Sequence, residues 1–439
     1  MKSWHIKILE RTLRFMARAI LRRHRPLVLA ITGSVGKSST KEAIRVVLGS
    51  AFRVRSNLGN LNNEIGVPLT ILGSSGGGGS FLRWLPVPFR FLHTFCIPTR
   101  LYPEILVLEL GIDRIGDMDY LLEFLHPKIG VLTAISTSHV EFFKSISIVA
   151  REKGKLIRSL PEDGLGVLNA DDPRVIAFSE KTRASILSYG FKKEADIRGT
   201  HPTFFSDGDT VPLGLTFKLE YAGKSIPVRL PGVLAEHHIL AALAAGAVGI
   251  FLKMSLLDVR AALQKFEPLP SRLRLLRGAK ESFILDDSYN ASPRSLEAAF
   301  STLQHFPVSG RRIVALGDML ELGGESLSAH QDVARMIFES GVSHAFLLGK
   351  EMRAAQEALL KKGFPSDHIS FFENPDQLGE ELVRFLEKGD TVLVKGSQGM
   401  RLEKAVEKIL SESEKEMLLA RVCRQSPDWK RTPFLPEKE

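Results

Sequence analysis

The segment Thr32-Gly-Ser-Val-Gly-Lys-Ser-Ser-Thr40 concentrates more potential chemistry than any other stretch of the chain. Two glycines three residues apart let the backbone fold tightly, so that several N–H groups converge. A turn of that kind opening onto a helix N-terminus is an anion site. The apolar run Leu27 to Ile31 precedes it as a strand, and Ser39 to Leu48 follows it as a helix. In this context Thr32, Gly33, Ser34, Val35, Gly36, Lys37, Ser38 and Ser39 become candidate nucleotide contacts. Lys37 would reach the β- and γ-phosphates of ATP, and the Ser38 hydroxyl would ligate Mg²⁺. The general phosphate-loop pattern has another glycine two residues before Gly33, where Ile31 stands, but the shorter Thr-Gly-x-x-Gly-Lys-Ser form is intact.

These residues need a scaffold. Strand-like runs recur at Ile105–Leu110, Ile129–Leu132 and Val167–Leu168, separated by helix-length segments. That alternation predicts a mostly parallel sheet with helices on both faces. Glu109 then falls at a strand end, where open α/β sheets bind ligands, and is a candidate first-metal ligand. A second alternating series begins after Pro268 and Pro270, with strands expected at Phe283–Leu285, Ile313–Leu316, Ala345–Leu348 and Val392–Val394. The fold class is therefore α/β. A central phosphate-loop ATPase domain spans 26–267, and a smaller Rossmann-like domain spans 268–410. Residues 411–439 are a polar extension around Trp429. Residues 73–103 break the pattern with a glycine tract followed by crowded aromatics. They read as an insertion that is either exposed or covered, by a partner or by its own domain.

Charge is unevenly placed. Residues 1–25 hold eight Lys/Arg against Glu10 alone, while the whole chain of 439 residues carries only +9. The body is therefore not a nucleic-acid-binding surface. Ile6, Leu9, Leu13, Met16 and Ile20 recur at helical spacing, and six basic residues recur on another face, which predicts an amphipathic helix over 5–25. That helix fits docking on the protein's own body, the favoured reading, or peripheral contact with an anionic membrane. Two distant cysteines, Cys96 and Cys423, argue against a disulfide framework or a zinc cluster and fit a reducing cytosol. The longest uncharged apolar run, Ile239 to Leu252, is short for a spanning helix. No signal-peptide pattern follows the basic N-terminus.

In order along the chain, several motifs resemble those of the Mur ligases. They are Thr32 to Thr40; Gly59-Asn-Leu-Asn-Asn-Glu-Ile-Gly-Val-Pro-Leu69; Leu108-Glu-Leu-Gly111; Ser138-His-Val-Glu141; and Lys153 within Ala150 to Gly154. Further on come Asp286-Asp-Ser-Tyr-Asn-Ala-Ser-Pro293, Gly317-Asp-Met-Leu-Glu-Leu-Gly323, His330 and Lys395-Gly-Ser397. The resemblance spans about Leu27 to Leu410. It implies ATP-dependent amide ligation through an acyl phosphate, with two Mg²⁺ sites. Lys37, Glu109, His139, Lys153 and Arg272 would be catalytic. Ser38, Glu109, His139 and a carbamate on Lys153 would hold metal. Arg272 and Asp287 would join the phosphate loop in binding the nucleotide. Asn62, Asn63, Asn290, Asp318, His330 and Lys395 would face substrate. The implied substrates are a nucleotide-linked muramoyl peptide and D-Ala-D-Ala. A cytoplasmic monomer is expected, with the inner membrane face as a further location.

Three departures stand out. The family's His-Asn-x-x-Asn-Ala run is His237-His-Ile-Leu-Ala-Ala242 here, so both adenine-contacting asparagines are replaced. Lys155 stands where a glutamate is usual. The basic helix occupies the place of the family's UDP-holding N-terminal domain. An amide ligase with another acceptor, such as an amino-acid polymer, and a phosphate-loop ATPase or switch protein are the competing readings.

Overall fold

Leu27 to Thr32 is apolar until its last residue, and it forms the buried central strand β1 (Leu27–Thr32). In the computed structural model, which describes residues 4–59, 61–74, 76, 84–136, 145–206, 212–425 and 427–430, β1 pairs in parallel with two neighbours. These are β3 (Ile105–Glu109) and β4 (Ile129–Leu132). Beyond β3 lies β2 (Val54–Ser56). Beyond β4 lie β5 (Leu165–Asn169), β6 (Ser185–Gly190) and β7 (Ile197–Phe205), with each adjacent pair parallel. Continuous apolar runs in β1, β3, β4 and β5 match strands buried on both faces. A hairpin of β8 (Gly214–Tyr221) and β9 (Lys224–Pro231) completes a nine-stranded sheet. Its turn is Ala222-Gly223, both residues at positive φ, the conformation a two-residue hairpin needs.

The second sheet has the order β10-β11-β15-β12-β13-β14. These strands are β10 (Arg274–Arg277), β11 (Phe283–Asp287), β12 (Arg312–Gly317), β13 (His344–Leu348), β14 (Ile369–Phe372) and β15 (Thr391–Lys395). Only the β10–β11 pair is antiparallel. The chain forms two compact units, one of residues 1–201, 217–229 and 238–266, the other of 202–216, 230–237 and 267–439.

The basic N-terminal segment forms α1 (Trp4–His24) and lies on the first unit's own core. Leu13, Ala17 and Ile20 are fully covered, Leu9 and Met16 partly so, and Ile6 is exposed. His24 stacks on Tyr102 at 4.4 Å and bonds the Thr94 carbonyl at 2.8 Å. Thr94 belongs to α4 (Pro86–Cys96), a helix within the aromatic-rich insertion. One face of α4 buries Val87 and Thr94, while Phe89 and Leu92 on it, and Leu85 just before it, remain exposed. Among the described residues no helix is long and apolar enough to cross a membrane. Cys96 and Cys423 are both free thiols.

Candidate active site

The phosphate loop runs from β1 into α2 (Lys37–Gly49). Gly36, at the helix N-terminus, has φ 85°, a conformation that L side chains resist. Gly33 is required for a different reason, since a Cβ there would sit 2.0 Å from Thr133 Oγ1. The loop is braced from β4 and its continuation. The Thr133 hydroxyl donates to the Val35 carbonyl at 2.6 Å, and the Ser34 N–H donates to the Ala134 carbonyl. Ser34 Oγ accepts from the Ser136 N–H at 3.0 Å. Lys37 folds back, donating to the Gly33 carbonyl at 2.8 Å. The Thr32 hydroxyl is buried and donates to the Leu110 carbonyl, so it ties β1 to the end of β3.

Glu109, 3% exposed, sits beside this loop. Its Oε1 accepts from the Ser38 hydroxyl at 3.2 Å and from the Asn62 amide at 3.1 Å. Its Oε2 is buried and accepts no hydrogen bond; the Lys41 ammonium is 3.6 Å away. Lys41 offsets only part of the cost of burying this oxygen, and a metal ion would offset more. The Ser38 hydroxyl beside it supplies the second hard oxygen that Mg²⁺ prefers. Among the described residues there is no cluster of three His, Cys, Asp or Glu suited to a metal. His139 and the rest of Ser138 to Glu141 lie outside the described residues. Asn57 holds Glu109 from the backbone side. Its amide oxygen accepts from the Glu109 N–H, and its amide nitrogen donates to the Glu109 carbonyl, both at 2.9 Å. Asn63 is occupied locally, with its oxygen accepting from the Ile65 and Gly66 N–H groups.

Lys153 lies on the helix Ile146–Arg158 and is 3% exposed. Burial, with Lys37 as a like-charged neighbour, lowers its pKa to about 7, and Asp113 only partly opposes this. Its basic sequence neighbours point elsewhere: Lys155 pairs with Glu152 and Asp119, each at 2.6 Å. Thus the lysine that replaces the usual glutamate has carboxylate partners of its own, and Lys153 is a buried amine close to neutrality.

In the second unit, Asp287 ends β11 beside its register partner Lys395 at the end of β15. Their side chains pair at 2.6 Å, and Lys395 also donates to the Asn290 carbonyl at 2.9 Å. Asp286 is fully buried, and its carboxyl is pushed up to about 6 by burial. It accepts from the Ser271 and Ser288 hydroxyls at 2.7 Å. Arg272 lays its guanidinium over the Tyr289 ring, 4.0 Å from the centroid. Its neighbours Ser271 and Leu273 have φ 53° and 51°, strained conformations that mark a closely specified turn. Asn290 is exposed, and its amide oxygen accepts from the Gln398 N–H. Asp318 accepts from the Met352 N–H at 2.9 Å, and burial raises its pKa. His330 uses both ring nitrogens internally: Nε2 accepts from the Met319 N–H, and Nδ1 meets the Ser326 carbonyl. It braces the Asp318–Met319 turn.

The polar extension contributes residues that sequence reasoning missed. Ser271 Oγ accepts from the Cys423 N–H at 2.9 Å. Arg424, almost buried, donates to Glu403 at 2.9 Å and to the Tyr289 carbonyl. Glu403 is also paired with Arg401. The sequence signal was present only as one of three arginines in a charged tail.

Comparison with known proteins bears on the same residues. Residues 93–249 match the Mur ligase middle domain, and residues 271–398 match the domain described as Mur ligase, glutamate ligase domain. The UDP-N-acetylmuramoyl-tripeptide–D-alanyl-D-alanine ligase of Bacillus subtilis is 30% identical over 397 residues, covering 90% of this chain and 78% of its own. The chain belongs to the Mur ligase family. The Escherichia coli enzyme of the same name is 30% identical over 386 residues, with 86% and 76% of the two chains covered. In fold, this Mur ligase resembles the MurF ligase of Thermotoga maritima, solved in complex with ADP. That likeness has a TM-score of 0.74 at 24% identity and covers 93% of this chain and 84% of that one.

Proposed function

We propose that this chain is an ATP-dependent ligase that joins D-Ala-D-Ala to a UDP-N-acetylmuramoyl tripeptide through an acyl phosphate. The observation that carries the reading is Glu109. A buried carboxylate oxygen that accepts no hydrogen bond lies beside a phosphate-loop serine, at the end of a central strand. The two relatives named above, each matched over more than three quarters of its own length, carry this activity in their names.

In this reading the loop N–H groups and Lys37 hold the β- and γ-phosphates. Ser38, Glu109, His139 and a carbamylated Lys153 would hold two Mg²⁺ ions. When bound, Mg²⁺ neutralises charge on the phosphoryl group in flight. A carboxylate oxygen of the tripeptide attacks the γ-phosphorus as the bond to ADP breaks. The amine of D-Ala-D-Ala then attacks the activated carbonyl and releases phosphate. Lys153 suits carbamylation because only a neutral amine adds to CO₂, and burial keeps this one near neutrality at physiological pH. Arg272 supplies a further cation for the nucleotide, and Asp287 its ribose contact. Asn62, Asn63, Asn290, Asp318 and Lys395 line the substrate-binding surfaces, with His330 positioning Asp318. The protein works as a monomer in the cytoplasm.

Phosphate release from ATP, measured across a panel of carboxylate and amine substrates, tests this. Release should require the UDP-muramoyl tripeptide and D-Ala-D-Ala together. Equal release without either substrate would overturn ligation in favour of a bare ATPase, and a different productive pair would reassign the substrates.

A further inference from the structure

The large apolar side chains left exposed by the fold are concentrated. Seventeen are exposed among the described residues, and nine of these fall within residues 4–15 and 85–101. On α1 the side facing the core carries Leu13, Ala17, Ile20 and His24. Trp4, Ile8 and Phe15 fall on the opposite side at helical spacing, with exposures of 70%, 42% and 70%. Arg11 and Arg22 share that outer stripe and are exposed. At the N-cap of α4 and along it, Leu85, Phe89 and Leu92 also recur at helical spacing, at 51%, 73% and 56% exposure. The two helices are neighbours, joined through His24 and Thr94. Most of the apolar stripe evident from sequence is therefore consumed by the core, Ile6 excepted, and a second one faces out.

Charge accompanies it. Residues 1–25 carry +7, and residues 84–103 add Arg90 and Arg100 with no acid, which together equal the +9 of the whole chain. A crevice of about 450 Å³ beside the C-terminal half of α1 is lined by Arg18, Arg22, Arg25 and His126 together with Glu123.

We infer that the outer faces of α1 and α4 form a peripheral docking surface for an anionic lipid membrane. Exposed Trp and Phe interleaved with arginine are what an interfacial helix uses: rings enter the headgroup–acyl boundary and guanidiniums meet lipid phosphates. Neither α1 nor α4 is built to span, so attachment is reversible and salt-sensitive. A second copy of the chain is a poor occupant, since it would bring the same positive surface against itself.

The test uses the full-length protein, cosedimented with phosphatidylglycerol-containing vesicles and with pure phosphatidylcholine vesicles. Binding is expected to the anionic vesicles only, and to be lost at high salt. Phe15→Ser combined with Phe89→Ser should lower partitioning by about tenfold or more. Arg11→Gln combined with Arg22→Gln should do the same. Because all four positions are exposed, the circular dichroism spectrum and thermal midpoint should not move. If the aromatic pair fails to fold, the arginine pair decides. No binding to anionic vesicles, or binding unaltered in a folded variant, would overturn the proposal. So would a dimer, seen by sedimentation velocity, that these variants dissociate. The assay measures lipid binding alone, so its outcome is separate from that of the ligase reading.

Discussion

At the phosphate loop, Glu109 faces Ser38, Asn62 and Lys41 yet keeps one oxygen that accepts no hydrogen bond, and nearby Lys153 is a buried amine with a depressed pKa. In the second unit, comparable groups are matched. Asp287 has Lys395, Asp286 has two serine hydroxyls, and Glu403 lies between Arg401 and Arg424. Both clusters sit at the ends of parallel strands, and both are deeply buried. The first holds its charge more loosely, with Lys41 3.6 Å from a carboxylate oxygen that accepts no hydrogen bond, which suits a site that handles phosphate and metal. The second meets its charges internally, and Lys395 and Arg424 also hold backbone carbonyls, so its pairs weigh on stability as well as on binding.

The comparison breaks first at Lys37. If the loop carries the chemistry, Lys37→Ala should lower ATP-dependent phosphate release by about a thousandfold, roughly 4 kcal/mol of transition-state stabilisation, with an unchanged melting curve. Wild-type turnover in the folded variant would remove the loop from the mechanism. Lys153 should follow, with Lys153→Ala losing about a hundredfold or more and recovering activity with added short-chain carboxylic acids. In the wild type, the neutral fraction of Lys153 grows as pH rises through about 7, so the carbamate should grow with it. Nuclear magnetic resonance with ¹³C-bicarbonate can follow that signal, and a carbamate that fell across this range would contradict the assignment.

The second cluster should respond in stability. Lys395→Met leaves Asp287 without its buried cation and is expected to cost about 3–5 kcal/mol in denaturant unfolding. A neutral effect would mean that water or the backbone compensates, and the contrast between the clusters would weaken. The smallest effect concerns the base. With His238 and Ala241 buried where amide side chains are usual in the family, ATP should be preferred over GTP by less than about a thousandfold in kcat/KM. A larger preference would show that other groups read adenine.

Much of this was legible in the sequence because apolar runs buried on both faces are hard to mistake. β1, β3, β4, β11, β12, β13 and β15 appear within a residue or two of the expected positions. The hairpin β8–β9 and strand β7 were not anticipated, since Ile197 to Phe205 and Lys224 to Pro231 mix polar and apolar residues without a clean period. The phosphate loop and Glu109 were visible from type and spacing. Asn57 was not, because an asparagine that clamps a strand end from 52 residues away looks like any turn residue. Lys153 was easily misjudged among Arg151, Lys155 and Arg158, since helical phase alone turns it inward. The Ser271–Cys423 and Arg424–Tyr289 ties join segments distant in sequence, and nothing in local composition marks them.

That last set of ties bears on the order in which the protein is made. The turn holding Arg272 rests on Ser271, whose hydroxyl bridges Asp286 and the backbone of Cys423, while Arg424 grips the loop at Tyr289. A ribosome therefore finishes the phosphate loop early and supplies the latch for Arg272 only after reading through residue 424. A chain stopping short of Cys423 and Arg424 would therefore carry the phosphate loop but lack both ties to the turn that holds Arg272.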